Sequence, residues 1–148
     1  MNSEEVKILI ADDDPGHVRL VTRNLRRGGL TNEILTFATG REVLDFLESL
    51  ISPKAEESTP IHGAFLLLLD IRMPDLDGVE VLKRIKENPG LKKLPVTMLT
   101  TTDDPREISR CYELGCSQYI VKPVDYEKFA EIVRKFGMFV TLVSVPEV

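Results

Sequence analysis

Three consecutive carboxylates, Asp12, Asp13 and Asp14, follow the apolar run ILIA, and a fourth, Asp70, follows LLLL. A hydroxyl, Thr100, comes directly after VTML, and an amine, Lys122, comes after YIV with Pro123 behind it. If these apolar runs are strands of one parallel sheet, their carboxyl ends deliver acids, a hydroxyl and an amine to a single rim. Carboxylates gathered so closely repel, and a hard divalent cation such as Mg²⁺ relieves the repulsion by taking oxygen ligands. The pattern therefore predicts a magnesium site at that rim. The acids also suit plainer duties: Asp14 before Pro15 reads as a helix N-cap, and Asp12 and Asp13 fit solvated loop positions.

The elements that would position these groups are legible from hydrophobic periodicity. Short apolar runs at residues 6–11, 33–37, 64–69, 96–99 and 119–121 alternate with segments of helical periodicity, the signature of a parallel sheet covered on both faces. The first, third and fourth runs are apolar on both faces, as central strands are; the second is mixed and belongs at an edge. Helix starts are marked by Asp14-Pro15, Thr39 with Glu42, Asp77 with Glu80, Asp104-Pro105 with Glu107, and Asp125. The expected architecture is α/β, a (βα)5 doubly wound parallel five-stranded sheet in three layers, whose sites lie outside the carboxyl ends of the strands near a topological switch point. Residues 49–63 are polar and carry prolines, and read as a surface loop. The tail FVTLVSVPEV is apolar and β-branched beyond the last helix and needs a surface to cover.

Bulk properties narrow the function classes. The chain has 148 residues, the size of one domain, and its 24 acidic against 19 basic side chains give a net charge of −5. Such a balance disfavours direct binding to nucleic acid or to an anionic membrane. The start MNSEEVKILIADDD lacks the basic and apolar regions of a secretory leader, and no stretch approaches the about 18 apolar residues that cross a bilayer, so a cytoplasmic protein is expected. Cys111 and Cys116 match neither zinc-ligand spacing nor a disulfide framework and read as free structural thiols.

The series ILIADDD, LLLLDIRMPDLDG, VTMLTT and YIVKP resembles the receiver domains of bacterial two-component response regulators, in the same order and on the same strands. The resemblance spans roughly residues 6–136. It implies a CheY-like, flavodoxin-like fold and an aspartyl-phosphate switch in which Asp70 accepts a phosphoryl group from a phosphohistidine on a sensor histidine kinase. Carried over residue by residue, Asp13, Asp70 and the backbone carbonyl of Arg72 would bind Mg²⁺ directly and Asp12 through water. Lys122 would neutralise the phosphoryl oxygens. Thr100 and Tyr119 would form the coupled switch that alters the face of the fourth helix, fifth strand and fifth helix. Thr101 is bulkier than the family's usual residue there, and Arg72 and Thr102 occupy positions that tune access of water.

Further expectations follow from the resemblance. Residues 1–137 would form the receiver and 138–148 an extension. The 49–63 loop and this extension are similar to those of small regulators associated with bacterial phytochrome histidine kinases, where the extension takes part in a homodimer. Phe139, Leu142 and Val143 packing back on their own domain is the opposing possibility. Arg23, Arg26 and Arg27 on the first helix fit a kinase-facing patch or a solvated face equally. His17 follows the acidic cluster and could lean over the site, although a lone His near a helix start is more often solvated; His62 is assigned nothing. A degenerate receiver serving as a constitutive docking module is the competing function. A dehalogenase-like phosphatase would need an acid where Arg72 stands, and a flavin carrier would need a hydroxyl- and Gly-rich phosphate loop where the chain has the strongly anionic DDDPGH.

Overall fold

A computed structural model describes residues 6–52 and 63–148. The elements run β1 Lys7–Ala11, α1 Pro15–Arg27, β2 Ile34–Phe37, α2 Gly40–Leu50, β3 Phe65–Leu69, α3 Gly78–Glu87, β4 Val96–Thr100, α4 Pro105–Leu114, β5 Gln118–Val121 and α5 Tyr126–Val140. The strands form one parallel sheet in the order β2-β1-β3-β4-β5, which reverses direction between β1 and β3. This is the (βα)5 doubly wound fold expected from the alternation of apolar runs and helical segments, with β2 at an edge.

Each helix begins where its side-chain cap was read. Asp14 accepts from the N–H groups of Gly16 and His17, Thr39 from Glu42, Asp77 from Glu80, Asp104 from Arg106, and Asp125 from Glu127 and Lys128. Such a cap is typically worth about 1 kcal/mol, because it satisfies backbone donors that the helix cannot. Arg26 finds its role at the other end of α1: its guanidinium donates to the carbonyls of Leu30 at 3.1 Å and Asn32 at 2.6 Å, which fastens the α1–β2 turn.

Strand alternation divides the core in two. Leu9, Leu67, Leu69 and Met98 face α2, α3 and α4, meeting Leu44, Leu82 and Cys111. Ile8, Ile10, Leu66 and Leu68 face α1 and α5, meeting Leu20, Leu25, Phe129 and Val133. Every residue of β3 and β4 is buried, which is why both read as apolar on both faces. Full burial of one such leucine contributes about 2 kcal/mol.

The tail turns back on its own domain. Beyond α5, Val145 is buried in the α1/α5 side of the core, Glu147 forms an isolated antiparallel bridge with Ala64, and the Val148 N–H donates to the Gly63 carbonyl at 3.3 Å. Val143 packs partly against the same core, while Met138, Phe139 and Leu142 point to solvent. The last helix is continuous through residue 137 and ends at Val140. The surface loop read over residues 49–63 begins within α2, which extends to Leu50; residues 53–62, His62 among them, lie outside the described residues.

Gly78 opens α3 for a reason other than turn freedom. A Cβ there would lie 2.0 Å from the backbone carbonyl oxygen of Asp70, and the Gly78 N–H donates to the Ile71 carbonyl at 2.7 Å. The helix start thus presses directly on the backbone that carries Asp70. Gly78→Ala is expected to lower the free energy of unfolding in urea by about 3 kcal/mol, since backbone must give way to admit the methyl group. An unchanged urea midpoint would contradict this reading of the contact.

Both thiols are buried and unpaired. Burial pushes the Cys111 thiol up to about 11, with Cys116 adding to the effect, and burial likewise raises Cys116. Iodoacetamide at pH 8 is expected to label neither in the folded protein and both in urea, because the thiolate is the reactive form. Mass spectrometry showing rapid labelling of the folded chain would count against it.

Candidate functional site

The register of the sheet sets where the chemistry-bearing residues emerge. Ala11 of β1 pairs with Leu69 of β3, so Asp12 and Asp70 leave adjacent strands side by side at the point where strand order reverses. The ladder continues into the site: the Asp70 N–H donates to the Ala11 carbonyl at 3.0 Å and the Asp12 N–H to the Phe37 carbonyl at 3.0 Å. Thr100 pairs with Val121, and the Lys122 N–H donates to the Thr100 carbonyl at 2.7 Å. Four consecutive strands in space therefore hold one rim.

Asp12, Asp70 and Lys122 are all buried there. The Lys122 ammonium donates to Asp12 Oδ2 at 2.6 Å and reaches Asp70 Oδ2 at 3.4 Å. Asp70 Oδ1 accepts from the Ile71 N–H at 2.8 Å, and Asp12 Oδ1 from the Asp14 N–H at 2.9 Å. Asp13 is exposed, and carboxylate oxygens of Asp12, Asp13 and Asp70 lie within 4.8 Å of one another. Two of the three acids thus face one ammonium, and burial raises the Asp12 carboxyl above its ordinary value although Lys122 pulls the other way. This set of hard oxygen donors, with more negative than positive charge, fits a divalent cation such as Mg²⁺ or Mn²⁺.

The remaining predicted residues surround this pocket. Thr100 is fully buried, and its hydroxyl oxygen accepts from the Thr102 N–H at 3.4 Å. Arg72 is exposed in the β3–α3 loop, with its Nε 3.5 Å from Thr102 Oγ1. Tyr119 points toward the same loop: its hydroxyl donates to the Thr102 carbonyl at 2.7 Å. Burial pushes that phenol up to about 12, so it remains a donor. The Tyr119 N–H in turn donates to the Tyr112 hydroxyl of α4 at 3.1 Å. Thr102 thereby joins Thr100, Tyr119 and Arg72 through one residue of the β4–α4 loop.

One residue takes the less favoured of its two sequence readings. His17 leans over the site, with Nδ1 3.0 Å from the Lys122 ammonium. The signal available in the sequence was its position one turn after the acidic cluster, which says nothing about where the ring turns.

The chain matches the response regulator receiver domain family over residues 8–134. A solved receiver domain from Rhodospirillum rubrum is 44% identical with a TM-score of 0.85, covering 96% of this chain and 98% of that one. The phosphorylated cyanobacterial phytochrome response regulator RcpA is 28% identical with a TM-score of 0.82, covering 96% and 99%. Response regulator Rcp1 of Synechocystis sp. is 31% identical over 132 residues, 89% of this chain and 86% of that one. Its Mn²⁺-bound form superimposes with a TM-score of 0.81 at 29% identity over 95% and 98% of the two chains. A sheet that reverses beside Asp70, the acidic pocket at that reversal and a family match across most of the sequence lead to one assignment: the chain belongs to the response regulator receiver domains of two-component phosphorelay systems.

Proposed function

We propose that Asp70 is the phosphoacceptor and that a phosphohistidine of a sensor histidine kinase is its donor. The supporting observation is the unequal environment of its two oxygens. Oδ1 is tied to the Ile71 N–H at 2.8 Å, while Oδ2 meets the Lys122 ammonium at the longer distance of 3.4 Å, which supports Oδ2 as the oxygen that attacks phosphorus. As its bond to phosphorus forms, the phosphorus–nitrogen bond of the donor breaks and the leaving imidazole takes a proton. Lys122 stays beside the transferred group and offsets its charge, because phosphoryl transfer depends chiefly on positioning and electrostatics. Asp12, Asp13 and Asp70, with the Arg72 carbonyl, would hold Mg²⁺, Asp12 through a water; the bound ion supplies positive charge to the phosphoryl oxygens.

The Thr100 hydroxyl keeps its own proton for a phosphoryl oxygen while its oxygen accepts from Thr102, so a new acceptor on Asp70 pulls on the loop that Tyr119 also holds. The switch reading gains support from that shared loop. The chain performs its own phosphoryl acceptance and slow dephosphorylation, with no further turnover. A constitutive docking module has less support, since Asp13, Asp70, Thr100 and Lys122 are all retained. Likeness to the cyanobacterial phytochrome response regulator RcpA favours a phytochrome-type kinase as the partner.

Acetyl phosphate with Mg²⁺ is expected to phosphorylate the chain, with the acyl phosphate detected by intact mass. Asp70→Asn, nearly isosteric, should abolish incorporation without altering the fold, and EDTA should abolish it in the parent chain. Incorporation persisting at another residue in Asp70→Asn would sink the assignment.

The extension 138–148 would act as a dimerisation arm, supported by the exposure of Met138, Phe139 and Leu142. Of these, Phe139 lines a groove of about 400 Å³ together with Tyr112, Ile120 and Ile132, among others, on the face of α4, β5 and α5. Sedimentation velocity at tens of micromolar, with and without beryllofluoride, is expected to show a dimer that Leu142→Glu dissociates. A monomer in both conditions would overturn the arm.

A further inference from the structure

Lys122 carries three N–H donors, and three acceptors stand around it: Asp12 Oδ2 at 2.6 Å, His17 Nδ1 at 3.0 Å and Asp70 Oδ2 at 3.4 Å. Two of these belong to the acidic pocket. The third arrives from α1 and has no part in phosphoryl transfer as described. An ammonium donates and never accepts, so the ring nitrogen it meets presents a lone pair. The hydrogen of the neutral ring then sits on Nε2, which faces Asp14 Oδ2 at 3.5 Å.

The ring is held in that attitude from several sides. Asp14 Oδ1 accepts from the backbone N–H of His17 at 3.3 Å, fixing the residue in the first turn of α1. Phe129 of α5 meets the imidazole edge-on, with centroids 5.7 Å apart and planes at 85°. Asp14 is thus the helix cap and the support of the ring together, and His17 connects α1 and α5 to the lysine.

The geometry points to His17 as a positioning residue that holds Lys122 on Asp12 and back from Asp70. Resting on the reading of Asp70 as phosphoacceptor, the proposal explains why the lysine meets its two carboxylate neighbours so unequally. A charge-assisted bond settles near about 2.8 Å, so the 3.4 Å separation leaves Asp70 Oδ2 loosely engaged and its lone pair available. Without the imidazole, the buried ammonium would have a donor to satisfy, and Asp70 is the acceptor within reach. Closing that gap would mask the attacking oxygen before a phosphoryl group arrives.

The test uses the full chain with Mg²⁺ and acetyl phosphate, following the rate of acyl phosphate formation. His17→Leu removes the acceptor and is expected to slow the reaction about tenfold, whereas His17→Asn, whose amide oxygen can stand in for Nδ1, should stay within about threefold of the parent. In a Lys122→Ala background His17→Leu should cost nothing more, since the lysine it positions is gone. Two-bond ¹H–¹⁵N correlation of the unsubstituted protein, which needs no variant to fold, should find the imidazole proton on Nε2. The proposal falls if His17→Leu reacts at the parent rate, if His17→Asn is as slow as His17→Leu, if the loss persists without Lys122, or if Nδ1 bears the proton. A parent chain that takes up no phosphoryl group at Asp70 would instead overturn the phosphoacceptor reading underneath it.

Discussion

A buried ammonium between carboxylates is the constraint around which this molecule is arranged. The side chain of Lys122 is 2% exposed and that of Asp12 5%, and they meet at 2.6 Å. Taking either charge out of water is costly, and the loss of one partner from such a pair commonly costs about 3–5 kcal/mol. The pair forms only if β1 and β5, which are not neighbours in the sheet, keep their registers through β3 and β4. A slip of one residue in any of those ladders would turn alternate side chains to the wrong face and separate Asp12, Asp70 and Lys122. The core therefore carries two duties, since the leucines that bury β3 also fix where Asp70 emerges.

The two faces of the sheet contribute differently to the site. On one, α1 and α5 pack together closely enough that a Cβ on Gly28 would lie 2.4 Å from the Arg134 carbonyl oxygen. That close pair brings Phe129 to His17 and so reaches the lysine. On the other, α3 starts against the Asp70 backbone, and α4 is joined to β5 through the Tyr112 hydroxyl. The β4–α4 loop lies between the pocket and this second face, held by Tyr119 at Thr102. A charge added at Asp70 would bear on a loop already linked to the edge strand, the arrangement that a two-state switch requires.

Much of this was legible in the sequence. The five strands and all five caps came from local signals, because periodicity reports which faces are buried and Asp, Ser or Thr before a helix competes for its orphan donors. The pocket followed from strand ends, since parallel topology collects them on one side. What stayed hidden depends on contacts remote in the chain. The direction of the His17 ring is set by Lys122 and Phe129, more than a hundred residues away. Arg26 serves a turn whose carbonyls have no side-chain signature, and Gly78 matters because of backbone that its own neighbours do not reveal. The tail read as apolar without a destination; its destination is divided, with Val145 inside the core and Leu142 outside it.

The anchoring of that tail separates two ends of the protein. Val148 is fastened at Gly63, ahead of the amino end of β3, while Asp70 leaves the carboxyl end of the same strand. At about 3.3 Å per residue, the five residues of β3 alone span roughly 17 Å, which sets these points at opposite ends of the strand. A fluorophore, affinity handle or fused domain joined at Val148 would consequently load the rim away from the acidic pocket, leaving the pocket's own rim open to approach.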